Sequence, residues 1–192
     1  MTNLDVLIER WRAGDQRAAE NIYDLHKERT LRLAYALLGN AQDAEEAAQD
    51  ALAYALLHIH QFDARRSLFS TWLHMITVSR SRDILRKRRL TAFSLTSLFQ
   101  PRHRNTGTTQ ELEQHAIQSE ARDAVWQAIA ELNPMLREAI VLRHWGGHTY
   151  QEIAEITGCP QKTAQSRVRL AHQKLSQRLA QADIRQAMEE TS

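Results

Sequence analysis

The stretch YQEIAEITGCPQKTAQSRVRL, residues 150–170, contains two short amphipathic segments separated by a turn. Thr149 before it predicts a helix N-cap, with Glu152 at the capping-box position. Gly158 suits the left-handed backbone that ends a helix, and Ala154 is small enough for a second helix to cross close by. The apolar side chains predicted to form the shared core follow helical spacing: Ile153, Ile156, Ala164 and Val168. The stretch therefore predicts a helix-turn-helix.

The second predicted helix presents cations and hydrogen-bonding side chains outward. Residues 160–180 include five Lys and Arg residues and no acidic residue. An ordinary helical hairpin with a solvated basic face is the plainer alternative, but the glycine, the small alanine and the unbroken positive charge favour a helix that enters the major groove of DNA. The residues predicted to face base edges and phosphates are Lys162, Thr163, Gln165, Ser166, Arg167 and Arg169.

The remainder of the chain is also predicted to be helical. Its 192 residues are 43% hydrophobic and include only six Gly and three Pro, which favours helices over strands. Residues 91–109 lack clear periodicity and contain Pro101 and Gly107, as an interdomain linker does. The predicted fold class is therefore all-α, with two small helical domains joined by a flexible linker, the C-terminal one a helix-turn-helix. The predicted boundaries are 1–90, 91–111 and 112–192.

Hydrophobic spacing and capping residues place the helices within these domains. Gly39-Asn40 is expected to stop the second helix, and Asp43 is the expected N-cap of the third, with Glu46 completing a capping box. Asn133-Pro134 separates two helices of the C-terminal domain. The predicted helices cover approximately 4–13, 15–38, 43–59, 70–89, 111–132, 134–144, 150–157 and 161–181.

Charge is distributed unevenly although the formal net charge is only +2. Residues 40–53 include four acidic residues and no basic one, whereas residues 61–90 include eight Lys and Arg residues against two acidic ones. Two separate basic surfaces predict two contacts with a polyanion. The acidic segment between them predicts a different, basic partner, with a solvated acidic face as the plainer interpretation.

Aromatic residues precede the first basic segment in residues 69–76. Trp72 near the start of a helix is either a core residue, as Trp usually is, or a platform for an unpaired base. The eight cations exceed what a helix dipole requires at its C-terminus, which favours a phosphate-binding surface.

Several other classes of protein are disfavoured. Cys159 is the sole cysteine, so we expect neither an internal disulfide nor a zinc cluster, and a reducing cytoplasm is the expected location. No signal peptide or membrane-spanning stretch is evident. His144 and His148 are separated by Gly146-Gly147, which argues against a metal pair on one helix face. We expect no cofactor and no metal.

Three segments, in order and covering nearly the whole chain, resemble the extracytoplasmic function (ECF) group of bacterial sigma factors, within the sigma-70 family. Residues 43–50, DAEEAAQD, resemble the helix of that family that docks on RNA polymerase. Residues 69–89, FSTWLHMITVSRSRDILRKRR, resemble its −10 promoter segment, and residues 132–175 resemble its −35 helix-turn-helix. Ser79 replaces the usual Asn, Ala47 and Ala48 replace bulkier residues, and residues 162–165 replace the usual Gly-Thr-Val-Lys.

This resemblance implies a sigma factor that directs core RNA polymerase to specific promoters and carries out no bond chemistry itself. Promoter DNA and core RNA polymerase are the implied partners, together with an anti-sigma factor that is often membrane-bound. The implied polymerase-binding residues are Asp43, Glu46, Gln49 and Asp50. The implied −10 residues are Arg65, Trp72, Ser79, Arg80, Arg82 and Arg86, and the −35 residues are the six outward residues of the predicted recognition helix.

Three alternatives remain open from the sequence. A helix-turn-helix regulator that binds operators as a dimer would require a dimerisation surface, and no heptad seam is evident. A nuclease would use Asp43, Glu45, Glu46 and Asp50 to bind Mg²⁺, although such carboxylates usually converge from separate elements. An adaptor without DNA contacts is disfavoured by the two basic surfaces.

Overall fold

The computed structural model describes residues 3–95 and 124–189, with side chains described for 3–91 and 124–180. Within these ranges the chain is helical and contains no strand, which confirms the predicted all-α fold. The helices are α1 (Asn3–Arg12), α2 (Gln16–Leu38), α3 (Ala41–Leu57), a 3₁₀ turn (Ile59–Gln61) and α4 (Phe69–Leu95). They continue with α5 (residues 124–130), α6 (Pro134–His144), α7 (Tyr150–Thr157) and α8 (Gln161–Glu189).

The helix ends follow the capping residues, with one correction. Gly39 takes a left-handed backbone at the end of α2 with φ +66°, and Asn133 caps α6 through its side chain, both at the predicted positions. Asp43 was the expected N-cap of α3, and this prediction is wrong. The cap is Asn40, whose side-chain oxygen accepts a bond from the Asp43 N–H at 3.0 Å. The helix therefore begins two residues earlier, and the Asp43 side chain is available for another partner.

α4, which carries most of the first basic segment, is longer than the sequence pattern predicted. α4 continues through Leu95, whereas the expected end was near Arg89. The rest of the predicted linker, residues 96–111, and the predicted start of the next helix near Glu111 lie outside the described residues. α5 supplies the described part of that helix and ends before Asn133-Pro134.

Two hydrophobic cores hold the helices together. One joins α1 and the first half of α2 to α3 and α4, with Ile22 and Leu73 fully buried. The other combines the second half of α2 and parts of α3 and α4 with all four later helices. Val78 of α4 and Ile153 of α7 both belong to this second core. The helices on either side of the predicted linker therefore pack against each other.

No helix among the described residues is both long and apolar enough to cross a membrane.

Candidate nucleic-acid interface

The helix-turn-helix predicted from residues 150–170 is formed by α7 and α8. Thr149 and Glu152 make the reciprocal capping box at the start of α7. Gly158 ends α7 with φ +69°, and its N–H donates to the carbonyl of Ala154. Ile153 and Ala164 are fully buried between the two helices. The local sequence signals therefore act as predicted, and they fix the direction in which α8 leaves the turn.

The first turns of α8 present the predicted DNA-contacting face. Lys162, Gln165, Ser166 and Arg169 are exposed, whereas Thr163 and Arg167 are half-buried. The Arg167 guanidinium Nη2 lies 3.5 Å from the Met135 sulfur, at the start of α6. The four exposed side chains thus share one side of α8, and Thr163 and Arg167 lie at the margin of that side.

The predicted −10 residues occupy different environments along α4 and the loop before it. Trp72 is half-buried, and the centroid of its ring lies 5.5 Å from that of Phe62 and 5.8 Å from that of Phe69. Ser79 is exposed. Arg65 and Arg86 are exposed and form local ion pairs with Asp63 and Asp83. Trp72 therefore contributes to the core as well as to the surface of α4.

Arg80 belongs to an aromatic group that the sequence did not reveal. Its guanidinium lies over the ring of Tyr54 in α3, 4.8 Å from the ring centroid. The ring of His58 stacks on the same Tyr54 at 4.1 Å. Tyr54 and Arg80 are far apart in sequence, so no periodic signal connects them. The group combines a cation with flat rings, the chemistry that stacks on an unpaired base.

The four predicted polymerase-binding residues of α3 differ in their exposure to solvent. The Asp43 side chain is only 14% exposed and forms an ion pair with Arg88 of α4 at 2.5 Å. Glu46, Gln49 and Asp50 are exposed. Asp43 thus joins α3 to α4, whereas the other three predicted polymerase-binding residues lie open on one side of α3.

The acidic residues of α3 are the ligands that a nuclease would use to bind Mg²⁺. Among the residues that the structure describes, no group of three or more His, Cys, Asp or Glu side chains is arranged to hold a metal ion. The Mg²⁺-dependent nuclease therefore gains no support from this geometry.

A polar seam joins α4 to α6, to α7 and to the loop between them. Arg82 donates from Nε and Nη2 to the two carboxylate oxygens of Glu138 in α6, at 2.7 and 2.6 Å. Arg82 also donates to the carbonyl of Thr157 at 3.3 Å. The bond to Glu138 raises the pKa of Arg82. This −10 candidate is thus bound by α6 and by the end of α7, the helix that precedes the recognition helix α8.

Two further contacts continue the seam along α4. The Thr71 hydroxyl donates to the Glu152 carboxylate at 3.1 Å. His74 Nδ1 lies 2.7 Å from His148 Nε2, and both rings are buried. Burial and the neighbouring His148 lower the pKa of His74 to about 4. Burial also lowers the pKa of His148, although Glu152 opposes that shift.

A further contact joins α6 to α2. Arg137 donates from Nη1 to the carbonyl of Leu37 at 3.0 Å, and burial lowers the pKa of this guanidinium. No sequence pattern indicated a functional role for Glu138, His74, His148 or Arg137. Their partners lie 56 to 100 positions away, beyond the reach of any local pattern.

The fold and its exposed basic helices define a helical DNA-binding protein with a helix-turn-helix. Comparison with protein families narrows this class, because a Sigma-70 region 2 family model matches residues 22–91 and a Sigma-70 region 4 family model matches residues 122–175. The ECF RNA polymerase sigma factor SigW of Bacillus subtilis is 30% identical over 177 residues, which cover 90% of this chain and 94% of that protein.

Two other proteins extend the comparison. The RNA polymerase sigma-H factor of Pseudomonas aeruginosa is 29% identical, over 90% of this chain and 92% of its own. The sigma factor RpoE of Bartonella quintana, solved in complex with the anti-sigma factor NepR, has the same fold, with a TM-score of 0.66. It is 24% identical, and the match covers 84% of this chain and 96% of that one.

The chain belongs to the ECF sigma factors of the sigma-70 family. It is therefore a transcription factor that directs RNA polymerase to specific promoters and initiates transcription there.

Proposed function

We propose that this sigma factor has two helical units with separate binding roles, residues 1–90 and 112–192, joined by residues 91–111. The first unit binds core RNA polymerase and the −10 element, and the second binds the −35 element. The observation that carries this division is the separation of exposed surfaces. Glu46, Gln49 and Asp50 lie open on α3, whereas the cations of the helix-turn-helix lie open on α8.

The polymerase contact is assigned to the exposed carboxylates of α3. Glu46 and Asp50 are one turn apart on the same side of the helix, so together they suit a basic surface on the polymerase. Asp43 supports this surface indirectly, because its ion pair with Arg88 fixes α3 against α4.

The −10 contact is assigned to α4 and the residues beside it. Ser79 and Arg86 are exposed, and Arg80 forms a cation–ring pair with Tyr54. Extracting a base from the duplex costs a few kcal/mol, and stacking on these rings together with phosphate contacts would offset that cost. Trp72 forms one wall of the region, and Arg65 and Arg82 supply further positive charge.

The −35 contact is assigned to α8. Lys162, Gln165, Ser166 and Arg169 are exposed at its N-terminal end, where a recognition helix meets base edges. Arg167 is held against Met135 and is the residue most suited to bidentate reading of a guanine. Thr163, half-buried at the base of the same face, completes the set.

The partners and the location follow from this role. An anti-sigma factor is the proposed inhibitor, a proposal supported by the resemblance in fold to a sigma factor solved with such a partner. We place the protein in the cytoplasm with RNA polymerase and assign it no bond chemistry of its own.

In vitro transcription on fragmented genomic DNA tests the function and does not require that a promoter be chosen beforehand. Core RNA polymerase from the same bacterium is supplied with the chain, and the 5′ ends of the transcripts are sequenced. The proposal predicts new start sites that share two sequence elements upstream. Start sites identical to those of core polymerase alone would contradict it.

A further inference from the structure

His144 and His172 form a second histidine pair, on the surface of the C-terminal helices. His144 is the last residue of α6 and His172 lies in α8, and their Nε2 atoms are 2.8 Å apart. The two rings are nearly perpendicular, at 86°, and both residues are exposed. Neither residue is among those that the proposed function assigns to polymerase or to promoter DNA.

The backbone on each side of the pair is fixed by the hydrophobic core. Val141, about one turn before His144, and Ala171, next to His172, are fully buried in the same core. The packing of α6 against α8 therefore brings the two imidazoles together, while rotation of the exposed rings adjusts how their nitrogens point. Such a pair is preorganised for a ligand that both nitrogens bind at once.

The separation of the two nitrogens matches that of two ligands on one metal ion. Imidazole nitrogens about 2.0–2.1 Å from an ion lie about 2.8–3.0 Å apart when they bind at a right angle, and about 3.3–3.4 Å apart at the tetrahedral angle. The observed 2.8 Å fits the right angle. Right-angled nitrogen ligands are typical of Ni²⁺ and Cu²⁺, whereas structural Zn²⁺ sites are tetrahedral.

The protonation of His144 also suits a metal ion. Imidazole binds a metal only in its neutral form, and burial, the neighbouring His172 and Arg143 lower the pKa of His144. The Arg143 guanidinium is engaged elsewhere, because it donates to the His148 carbonyl at 2.8 Å and lies over the Tyr150 ring. His144 therefore offers a neutral ring at pH 7.

We propose that His144 and His172 form a binding site for a divalent transition-metal ion of the class that favours imidazole, Ni²⁺ or Cu²⁺. The ion replaces the hydrogen bond between the rings and joins the end of α6 to α8. Within the part of the chain that the structure describes, no third His, Cys, Asp or Glu completes the site, so water or a donor from another molecule fills the other positions. The site does not rest on the proposed function, because it depends only on how α6 and α8 pack.

Isothermal titration of the full chain with Ni²⁺ at neutral pH, without a polyhistidine tag, tests the site. We expect binding of one ion per chain. His144→Gln and His172→Gln each remove one of two linked ligands, which should weaken binding by about tenfold or more. His60→Gln is the matched control, since His60 is an exposed histidine of the 3₁₀ turn after α3, and it should bind Ni²⁺ as the unsubstituted chain does.

Urea denaturation shows whether the ion binds the folded arrangement. A ligand that binds only the folded chain stabilises it, so saturating Ni²⁺ should raise the urea midpoint of the unsubstituted chain and of His60→Gln. The midpoints of His144→Gln and His172→Gln should stay nearly unchanged. Mg²⁺, which prefers oxygen ligands, should raise none of them, and circular dichroism verifies the helical content of each variant.

Two results would overturn the site. One is the absence of Ni²⁺ binding to the unsubstituted chain, which would leave the pair as a hydrogen bond between two exposed rings. The other is equal affinity, or an equal rise of the urea midpoint, in all four proteins, which would place the ion elsewhere on the chain.

Discussion

His74 of α4 and His148, in the loop before α7, face each other with Nδ1 and Nε2 2.7 Å apart across the boundary between the two helical units. At this distance the N–H of one ring donates a hydrogen bond to the unprotonated nitrogen of the other, so the contact requires that at least one ring be uncharged. His26 and Arg29 of α2 also act on His74, and Glu152 faces His148 on its other side. Protonation of both rings would therefore break the contact.

This arrangement predicts that acid weakens the folded chain. The pKa of His74 is lowered from 6.5 to about 4, so the unfolded chain takes up a proton at higher pH than the folded chain does. The free energy of unfolding should thus fall as the pH decreases from 6.5 toward 4, by at most about 1.4 kcal/mol per pH unit from this group. Urea denaturation at a series of pH values measures the slope.

The matched substitutions are His74→Gln and His60→Gln, the latter at an exposed position. We expect His74→Gln to reduce the pH slope and His60→Gln to preserve it. The same slope in all three proteins would show that the buried pair does not couple protons to folding.

Gly158→Ala should destabilise the helix-turn-helix. Gly158 has φ +69°, and a Cβ atom built there meets nothing within 4 Å, so only backbone strain opposes the substitution. That strain costs about 1 kcal/mol. Urea denaturation should show this loss, whereas Gln165→Ala on the exposed face of α8 should cause none. Unchanged stability of Gly158→Ala would mean that the turn tolerates another backbone conformation.

Arg167→Ala should weaken binding to a −35 element and relax base preference at one position. A guanidinium that reads a base contributes about 1–3 kcal/mol, and Arg167 is positioned for this by its contact with Met135. The measurement is binding to a promoter mapped by in vitro transcription and to variants of its −35 element. Lys174→Ala, farther along α8, is expected to act equally on all sequences. A uniform effect of Arg167→Ala would reduce its role to a phosphate contact.

The local elements of this fold were predictable because each depends on residues close together in sequence. Thr149 with Glu152, Gly158 and Asn133-Pro134 mark helix ends by their own chemistry, and the structure confirms them. The prediction of Asp43 as the N-cap of α3 was wrong because Asn40 offers the same capping chemistry three residues earlier. Both residue types favour the N-cap, so propensity alone cannot choose between them.

The contacts between the two units could not be predicted in this way. The sequence argued against a pair of His144 with His148 but offered no other partner for either residue, and the structure pairs His144 with His172 at 2.8 Å and His148 with His74. The Arg82–Glu138 contact joins residues 56 positions apart. Such pairs depend on how whole helices dock, and no short-range period in the sequence carries that information.

The residues proposed to bind polymerase divide into two kinds, with different expected consequences. Asp43 is paired with Arg88 and mostly buried, so Asp43→Lys should lower the stability of the chain as well as its affinity for polymerase. Glu46 and Asp50 are exposed, so their charge reversal should leave the thermal unfolding midpoint nearly unchanged. Thermal unfolding of Asp43→Lys and Asp50→Lys tests this contrast, and equal midpoints would contradict it.

Co-elution with bacterial core RNA polymerase at moderate salt tests the central claim most directly. The unsubstituted chain should co-elute with the polymerase, and Glu46→Lys with Asp50→Lys should abolish co-elution while the chain stays folded. Glu20→Lys, on the exposed surface of α2, is the control and should co-elute as the unsubstituted chain does. Failure of the folded, unsubstituted chain to co-elute would contradict the account of this protein as a sigma factor that acts through the acidic face of α3.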